Sequence, residues 1–309
     1  MEGTVGIFVE RNKNRVKMKK FSGVGVALVT PFDEQGQVDE VSLRELVEYV
    51  IDGGVDYLVA LGTTSEAATM TAEEKDLVVR VIAGQNDGRL PIVLGVGGND
   101  TAQVVHELSS LPYMECGDAI LSVVPYYNKP SQEGIYAHFK EIAERAPLPV
   151  ILYNVPGRTG VNMAAGTTLR LAREYENIIA VKEASGNFEQ ATAIIKDMPE
   201  NFIFLSGDDG ITLPLMAIGG SGVISVVANV LPAEFSSMVH LALEEEYGEA
   251  RTTHLRMADI CKALFEEGNP AGIKAALVAK GVIACGRLRA PLAPVSDNLY
   301  ARIASLLAK

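Results

Sequence analysis

Eight short apolar runs recur along this chain, at 24–30, 56–61, 91–96, 119–125, 149–155, 178–184, 202–206 and 222–228. Segments with helical spacing of apolar residues separate most of them, at 39–52, 71–86, 100–111, 132–145 and 187–197. The runs are continuously apolar rather than alternating, as parallel strands covered on both faces require. Eight strand–helix units of about thirty residues predict an α/β fold closed into a (β/α)8 TIM barrel, not an open doubly wound sheet. No GxGxxG follows the first run, which disfavours a dinucleotide fold. Asp39 and Thr71 are expected helix N-caps, and Glu74 stands at capping-box spacing from Thr71.

Beyond residue 230 the pattern turns purely helical, over roughly 232–247, 249–266, 270–280 and 297–308. One of these helices closes the barrel and the others form a C-terminal helical appendage. No Ser-, Gly- or Pro-rich linker sets them apart, so they are expected to pack on the barrel. The organisation expected is a flexible basic extension (1–20), a catalytic barrel (21–247) and a packed C-terminal helical region (248–309). Arg11, Lys13, Arg15, Lys17, Lys19 and Lys20 crowd the extension, and no apolar stretch follows them as a signal peptide requires. Met18 is an alternative start.

Composition narrows the function. A 48% hydrophobic content supports a large core, and no stretch reaches the roughly 18 apolar residues of a membrane span. A net charge of −12 argues against a nucleic-acid surface but not against a local basic pocket for a small anion. The three cysteines, Cys116, Cys261 and Cys285, form no CxxC pair, so a reducing cytoplasmic compartment fits best. The four histidines, His106, His138, His240 and His254, show no HxH or HExxH spacing; each reads as a helix-surface residue, and no metal or other cofactor is expected.

Barrel enzymes carry their chemistry at the C-terminal ends of the strands. There the sixth run carries Lys182, within Ile178-Ile179-Ala180-Val181-Lys182-Glu183-Ala184-Ser185-Gly186. Burial disfavours an ammonium, so a lysine in such a run is either a nucleophilic amine suited to Schiff-base chemistry or a side chain that snorkels or pairs with a carboxylate. Tyr153 lies on the adjacent strand, where a phenol can shuttle protons, although a strand tyrosine is more often core. Gly62-Thr63-Thr64 offers hydroxyls and N–H groups to a carboxylate, or simply caps a helix. Arg158, after Pro156-Gly157, is suited to a bidentate carboxylate clamp or is a solvated loop charge. Asp208-Asp209 suggests helix capping rather than a metal pair. The convergence of lysine, phenol, hydroxyl pair and arginine on one mouth says more than any one of them.

Gly62-Thr63-Thr64, Pro125-Tyr126-Tyr127-Asn128, Tyr153-Asn154-Val155-Pro156-Gly157-Arg158-Thr159-Gly160 and Val181-Lys182-Glu183-Ala184-Ser185-Gly186 together resemble the pyruvate-dependent class I aldolases of the N-acetylneuraminate lyase group, from about residue 22 to the C-terminus. Arg158 after Pro156 resembles the branch that condenses pyruvate with L-aspartate 4-semialdehyde, in the diaminopimelate and lysine pathway. The resemblance implies that Lys182 forms an imine with pyruvate, that Thr63 and Thr64 hold its carboxylate, and that Arg158 binds the carboxylate of the semialdehyde. It implies a proton relay of Tyr153, Thr63 and Tyr127, with Tyr127 supplied by a neighbouring subunit, hence a dimer and a tetramer built as a dimer of dimers. Gly207 and Ile224 match positions that line the pocket, an assignment carried by the resemblance alone.

Two departures from the pattern stand out. Ser65 replaces the usual glycine after the threonines, and Ala67 a common hydroxyl residue. At positions matching a lysine-feedback pocket the chain has Ala72, Lys75 and Gln103 beside Asn99 and Tyr126, in place of histidines and a glutamate. A cation and a neutral amide hold a cationic amine poorly, so weak or absent lysine inhibition is expected. A related pyruvate-dependent sugar-acid lyase and a catalytically inactive metabolite-binding barrel are the competing readings.

Overall fold

The computed structural model describes residues 20–308; the basic extension expected at 1–20 lies outside them, apart from Lys20, which pairs with Asp118. Eight parallel strands close in sequence order, β8 pairing with β1. They are β1 (Gly23–Ala27), β2 (Tyr57–Ala60), β3 (Ile92–Gly95), β4 (Ala119–Val123), β5 (Val150–Asn154), β6 (Ile178–Glu183), β7 (Ile203–Ser206) and β8 (Gly222–Ser225). The helices following them are α1 (Glu40–Asp52), α2 (Ala72–Asn86), α3 (Thr101–Ser110), α4 (Gln132–Arg145), α5 (Ala165–Glu174), α6 (Phe188–Asp197), α7 (Thr212–Ala217) and α8 (Pro232–Leu243). Three more complete the chain: α9 (Tyr247–Glu266), α10 (Ala271–Ala279) and α11 (Asp297–Leu307). Among the described residues no helix is long and apolar enough to cross a membrane.

Each strand lies inside an expected apolar run, allowing a one-residue extension at β1, but all eight are shorter than their runs. The runs continue into mouth loops that are themselves buried, as at Leu28 and Val29 after β1. Helices α5 and α7 have no counterpart in the sequence reading. Helix α5 carries Gly166, Thr167 and Thr168, poor helix formers, in its first turn and has no side-chain cap among the described residues; α7 has only six residues and contains Pro214. The expected caps are present. Asp39 accepts from Ser42 N, and Thr71 and Glu74 bond reciprocally as a capping box.

Side chains alternate between two cores. Tyr57, Val59, Leu121, Ile151, Tyr153 and Leu205 fill the barrel interior. Leu58, Ala60, Ile120, Leu152, Val181 and Phe204 face the helices. The β5–β6 register shifts between Val150 and Ile151, leaving Ile179 as the extra residue. Past that shift Tyr153 is level with Lys182 and Asn154 with Glu183. One expectation about the histidines fails: His138 is not a surface residue. It is buried on α4, its Nδ1 2.9 Å from Thr101 Oγ1, and burial pushes its imidazole down to about 4.

The C-terminal helices pack on the barrel through apolar faces. Met257, Ile260, Cys261, Ala263 and Leu264 of α9 are buried, as is most of α10. Gly272 permits this approach, because a Cβ there would lie 2.1 Å from Leu264 O. Beyond α10, Arg289 grips Glu74 of α2, with Nη1–Oε2 at 2.7 Å and Nη2–Oε1 at 2.5 Å. These bonds hold the Glu74 carboxyl down at about 2, from an ordinary 4.5. A depressed carboxyl stabilises the fold fully above its unfolded value and loses that contribution as pH falls through its folded value. Glu74→Gln, which keeps the capping box, is therefore expected to cost roughly 2 kcal/mol at neutral pH. Urea unfolding at stepped pH should show the gap to the unsubstituted protein closing between pH 4.5 and about 2.

Candidate active site

The C-terminal ends of β5 and β6 meet at a cavity of 590 Å³ walled by α9. Lys182 is only 6% exposed, and its Nζ stands 4.4 Å from the centroid of the Tyr153 ring. The β6 register shift sets this geometry by turning Lys182 inward and Glu183 outward. Outside the barrel, Glu183 is buried among neutral donors. Asn154 Nδ2 reaches both its carboxylate oxygens at 3.1 and 3.0 Å, Ser185 N donates at 2.8 Å, and Gln190 Nε2 at 2.9 Å. Asn154 and Glu183 thus tie the two strands together one residue beyond the lysine–tyrosine pair.

Thr63 and Thr64 lie on a 3-10 turn (Thr63–Ser65) after β2, Thr63 exposed to the cavity and Thr64 buried. Ser65, the departure from pattern, turns its hydroxyl back onto Gly62 O at 2.7 Å, so the turn absorbs it. Arg158 stands on a single helical turn (Pro156–Thr159), facing the same cavity. Gly207 lies on the cavity wall, where a Cβ would come within 2.6 Å of Ala184 Cβ. The other two expected positions do not line this cavity. Ile224 is buried in the barrel interior near Tyr153, and Tyr127 projects from the surface, 88% exposed and at φ +71°.

Asp208 accepts from Gly210 N at 3.0 Å, the expected cap of a short turn. Asp209 is not a cap. It is buried and accepts from Val226 N and Val227 N, fixing the chain after β8, and burial pushes its carboxyl up.

The residue that sequence reasoning missed is Asn269. Its Nδ2 donates to Thr64 Oγ1 at 2.9 Å, and its carbonyl oxygen accepts from Arg158 Nη2 at 3.2 Å. One residue thereby joins the hydroxyl turn to the arginine. Its Oδ1 is buried and has no hydrogen-bond partner among the described residues. Helix α9 contributes the rest of the wall through His254, Met257, Ala258, Cys261, Lys262 and Phe265, one face at helical spacing. Nothing local in the sequence marks that face. A second cavity of 720 Å³ shares Thr63, Tyr153 and Arg158 with the first and runs outward past Lys75, Asn99, Gln103 and Tyr126.

A closed parallel barrel with a buried lysine and tyrosine paired at its mouth, flanked by hydroxyls and a guanidinium, defines a (β/α)8 protein equipped for amine chemistry on a small anion. The chain matches the dihydrodipicolinate synthetase family over residues 20–309 and belongs to it. It is 55% identical over 285 residues to the 4-hydroxy-tetrahydrodipicolinate synthase of Parabacteroides distasonis, covering 92% of this chain and 95% of that protein. The crystal structure of dihydrodipicolinate synthase from Thermotoga maritima superposes with a TM-score of 0.91 at 37% identity, covering 94% of this chain and 98% of that one. The synthase of Cyanidioschyzon merolae, solved with lysine bound, superposes with a TM-score of 0.89 at 38% identity, over 94% of this chain and 98% of that one.

The wall at Gly207 yields a direct test. Gly207→Ala must displace Ala184 or the Glu183 carbonyl, 3.1 Å from the added Cβ, at the end of the strand that carries Lys182. Overpacking of this kind is expected to cost about 1–3 kcal/mol, read as a lowered urea midpoint with unchanged slope.

Proposed function

We propose that this chain condenses pyruvate with L-aspartate 4-semialdehyde to give 4-hydroxy-tetrahydrodipicolinate, with Lys182 as the imine-forming nucleophile. The observation that carries the reading is the buried Lys182–Tyr153 pair in a member of this family. The Lys182 amine adds to the keto carbon of pyruvate and water leaves, giving an imine that serves as an electron sink. Loss of a methyl proton then gives an enamine, whose carbon attacks the aldehyde. The amine of the semialdehyde displaces Lys182 and closes the ring.

Thr63 and Thr64 hold the pyruvate carboxylate, and Arg158 the carboxylate of the second substrate. Holding both in one cavity removes much of the entropic barrier to their encounter. Tyr153, Thr63 and Tyr127 pass the protons. An exposed tyrosine held at φ +71° outside both of the cavities described above suits a phenol delivered to a second copy's site. The protein therefore works as a dimer, with a tetramer built as a dimer of dimers, in the cytoplasm. Gly207 leaves room at the cavity wall, and Ile224 acts from the barrel interior, in the apolar cluster that holds Tyr153. Residues 21–247 form the catalytic unit, and 248–309 close its cavity.

The outer cavity bears on feedback. Ala72, Lys75, Asn99, Gln103 and Tyr126 line it, and Gln103 Nε2 donates to Glu107 Oε1 at 3.1 Å. Lys75 brings a positive charge, and of the carboxylates on the same wall Asp100 caps α3 and Glu107 accepts from Gln103, which leaves little for a cationic amine. Lysine is expected to inhibit weakly or not at all, and strong inhibition at micromolar lysine contradicts this.

The activity is tested by coupling condensation to the NADPH-dependent reductase of the next step. Turnover with pyruvate and the semialdehyde, lost at least ~10³-fold in Lys182→Ala, is the expected result. Arg158→Ala should raise KM for the semialdehyde more than for pyruvate. Activity on N-acetylneuraminate instead would move the chain to the sugar-acid lyases.

A further inference from the structure

Glu66 and Lys274 form an ion pair closed to solvent, 208 residues apart in sequence. Lys274 Nζ donates to Glu66 Oε1 at 2.6 Å and to Arg287 O at 2.9 Å, and lies 4.2 Å from the Phe32 ring centroid. The second carboxylate oxygen, Glu66 Oε2, accepts from Arg289 N at 2.9 Å. Burial pushes the Lys274 amine down, and Glu66 opposes that push. Desolvating two charges is costly, and apolar side chains of similar volume often stabilise a core as well. A pair of this kind calls for a role beyond stability.

Its position supplies one. Glu66 ends the 3-10 turn that carries Thr63 and Thr64, and its backbone is left-handed, at φ +60°. A residue with a Cβ holds that conformation only when its surroundings fix it. Glu66 N donates to Thr63 O at 3.3 Å, while Glu66 O accepts from Thr69 N and Thr69 Oγ1, both at 2.9 Å. The carboxylate therefore anchors the residue on which the turn pivots, and its anchors come wholly from the C-terminal region.

We infer that Glu66 and Lys274 are positioning residues: the buried pair holds Thr63 and Thr64 in register with Lys182, so that the C-terminal region sets the affinity for the 2-keto acid. This rests on the reading of Lys182 as the pyruvate nucleophile. Asn269 remains as a second strut on Thr64, so loss of the pair loosens the clamp without abolishing it.

The test measures borohydride-trapped pyruvate adduct by intact mass against pyruvate concentration, in full-length protein. Lys274→Met is expected to raise the half-saturating concentration about tenfold, equivalent to about 1.4 kcal/mol, with the limiting extent of adduct changed less than about threefold. Lys274→Met leaves a buried unpaired carboxylate and can fail to fold, so Glu66→Gln/Lys274→Met is measured beside it. The double variant should recover thermal stability while keeping the raised half-saturating concentration. A merely structural pair predicts that folded double variant saturates like the unsubstituted protein, and that result overturns the inference. No adduct in the unsubstituted protein removes the reading on which it rests, a failure distinguishable from the first.

Discussion

The register between β5 and β6 is the constraint on which the site depends. Side chains on a strand alternate faces, so a slip of one residue would turn Lys182 toward the helices and Glu183 into the barrel. The extra residue at Ile179 sets the parity, and Asn154 locks it by reaching both oxygens of Glu183 behind the sheet. The same bonds that satisfy a buried carboxylate therefore fix the lysine beside the tyrosine ring. Polar groups on the outer face thus do the aligning, and the inner face is left for chemistry.

The barrel alone does not make the site. The cavity wall opposite Lys182 comes from α9, and the turn bearing Thr63 and Thr64 is braced by Asn269, Lys274 and the backbone of Arg289. All of these follow the eighth unit. The C-terminal helices consequently serve the mouth rather than hanging from it, which is why α10 is buried along most of its length. Arg289 extends the same bracing to α2 through Glu74.

Much of this was legible in the sequence, for identifiable reasons. Doubly covered parallel strands leave continuous apolar runs, so all eight strands could be read, and Thr71 with Glu74 announced its own cap. The lysine was legible because a charge stands out in such a run. Helices α5 and α7 were not, since Gly166 with two threonines, or Pro214 in six residues, carry no helical signal of their own. His138 misled because helical spacing does not reveal which face a neighbouring helix covers. Asn269 and the Glu66–Lys274 pair were invisible for a different reason. Their partners lie 205 and 208 residues away, and no local pattern encodes a contact made only when the C-terminal region folds over the mouth.

In the proposed reaction one particular amine, the one buried against Tyr153, carries the chemistry. Reduction of the protein with borohydride in the presence of pyruvate, followed by digestion and fragment sequencing of the modified peptide, addresses it most directly. A single adduct is expected, on the peptide containing Val181-Lys182-Glu183, with every other lysine unmodified. An adduct on Lys262 at the cavity rim, or on Lys274 beneath the threonine turn, with Lys182 unmodified would contradict it.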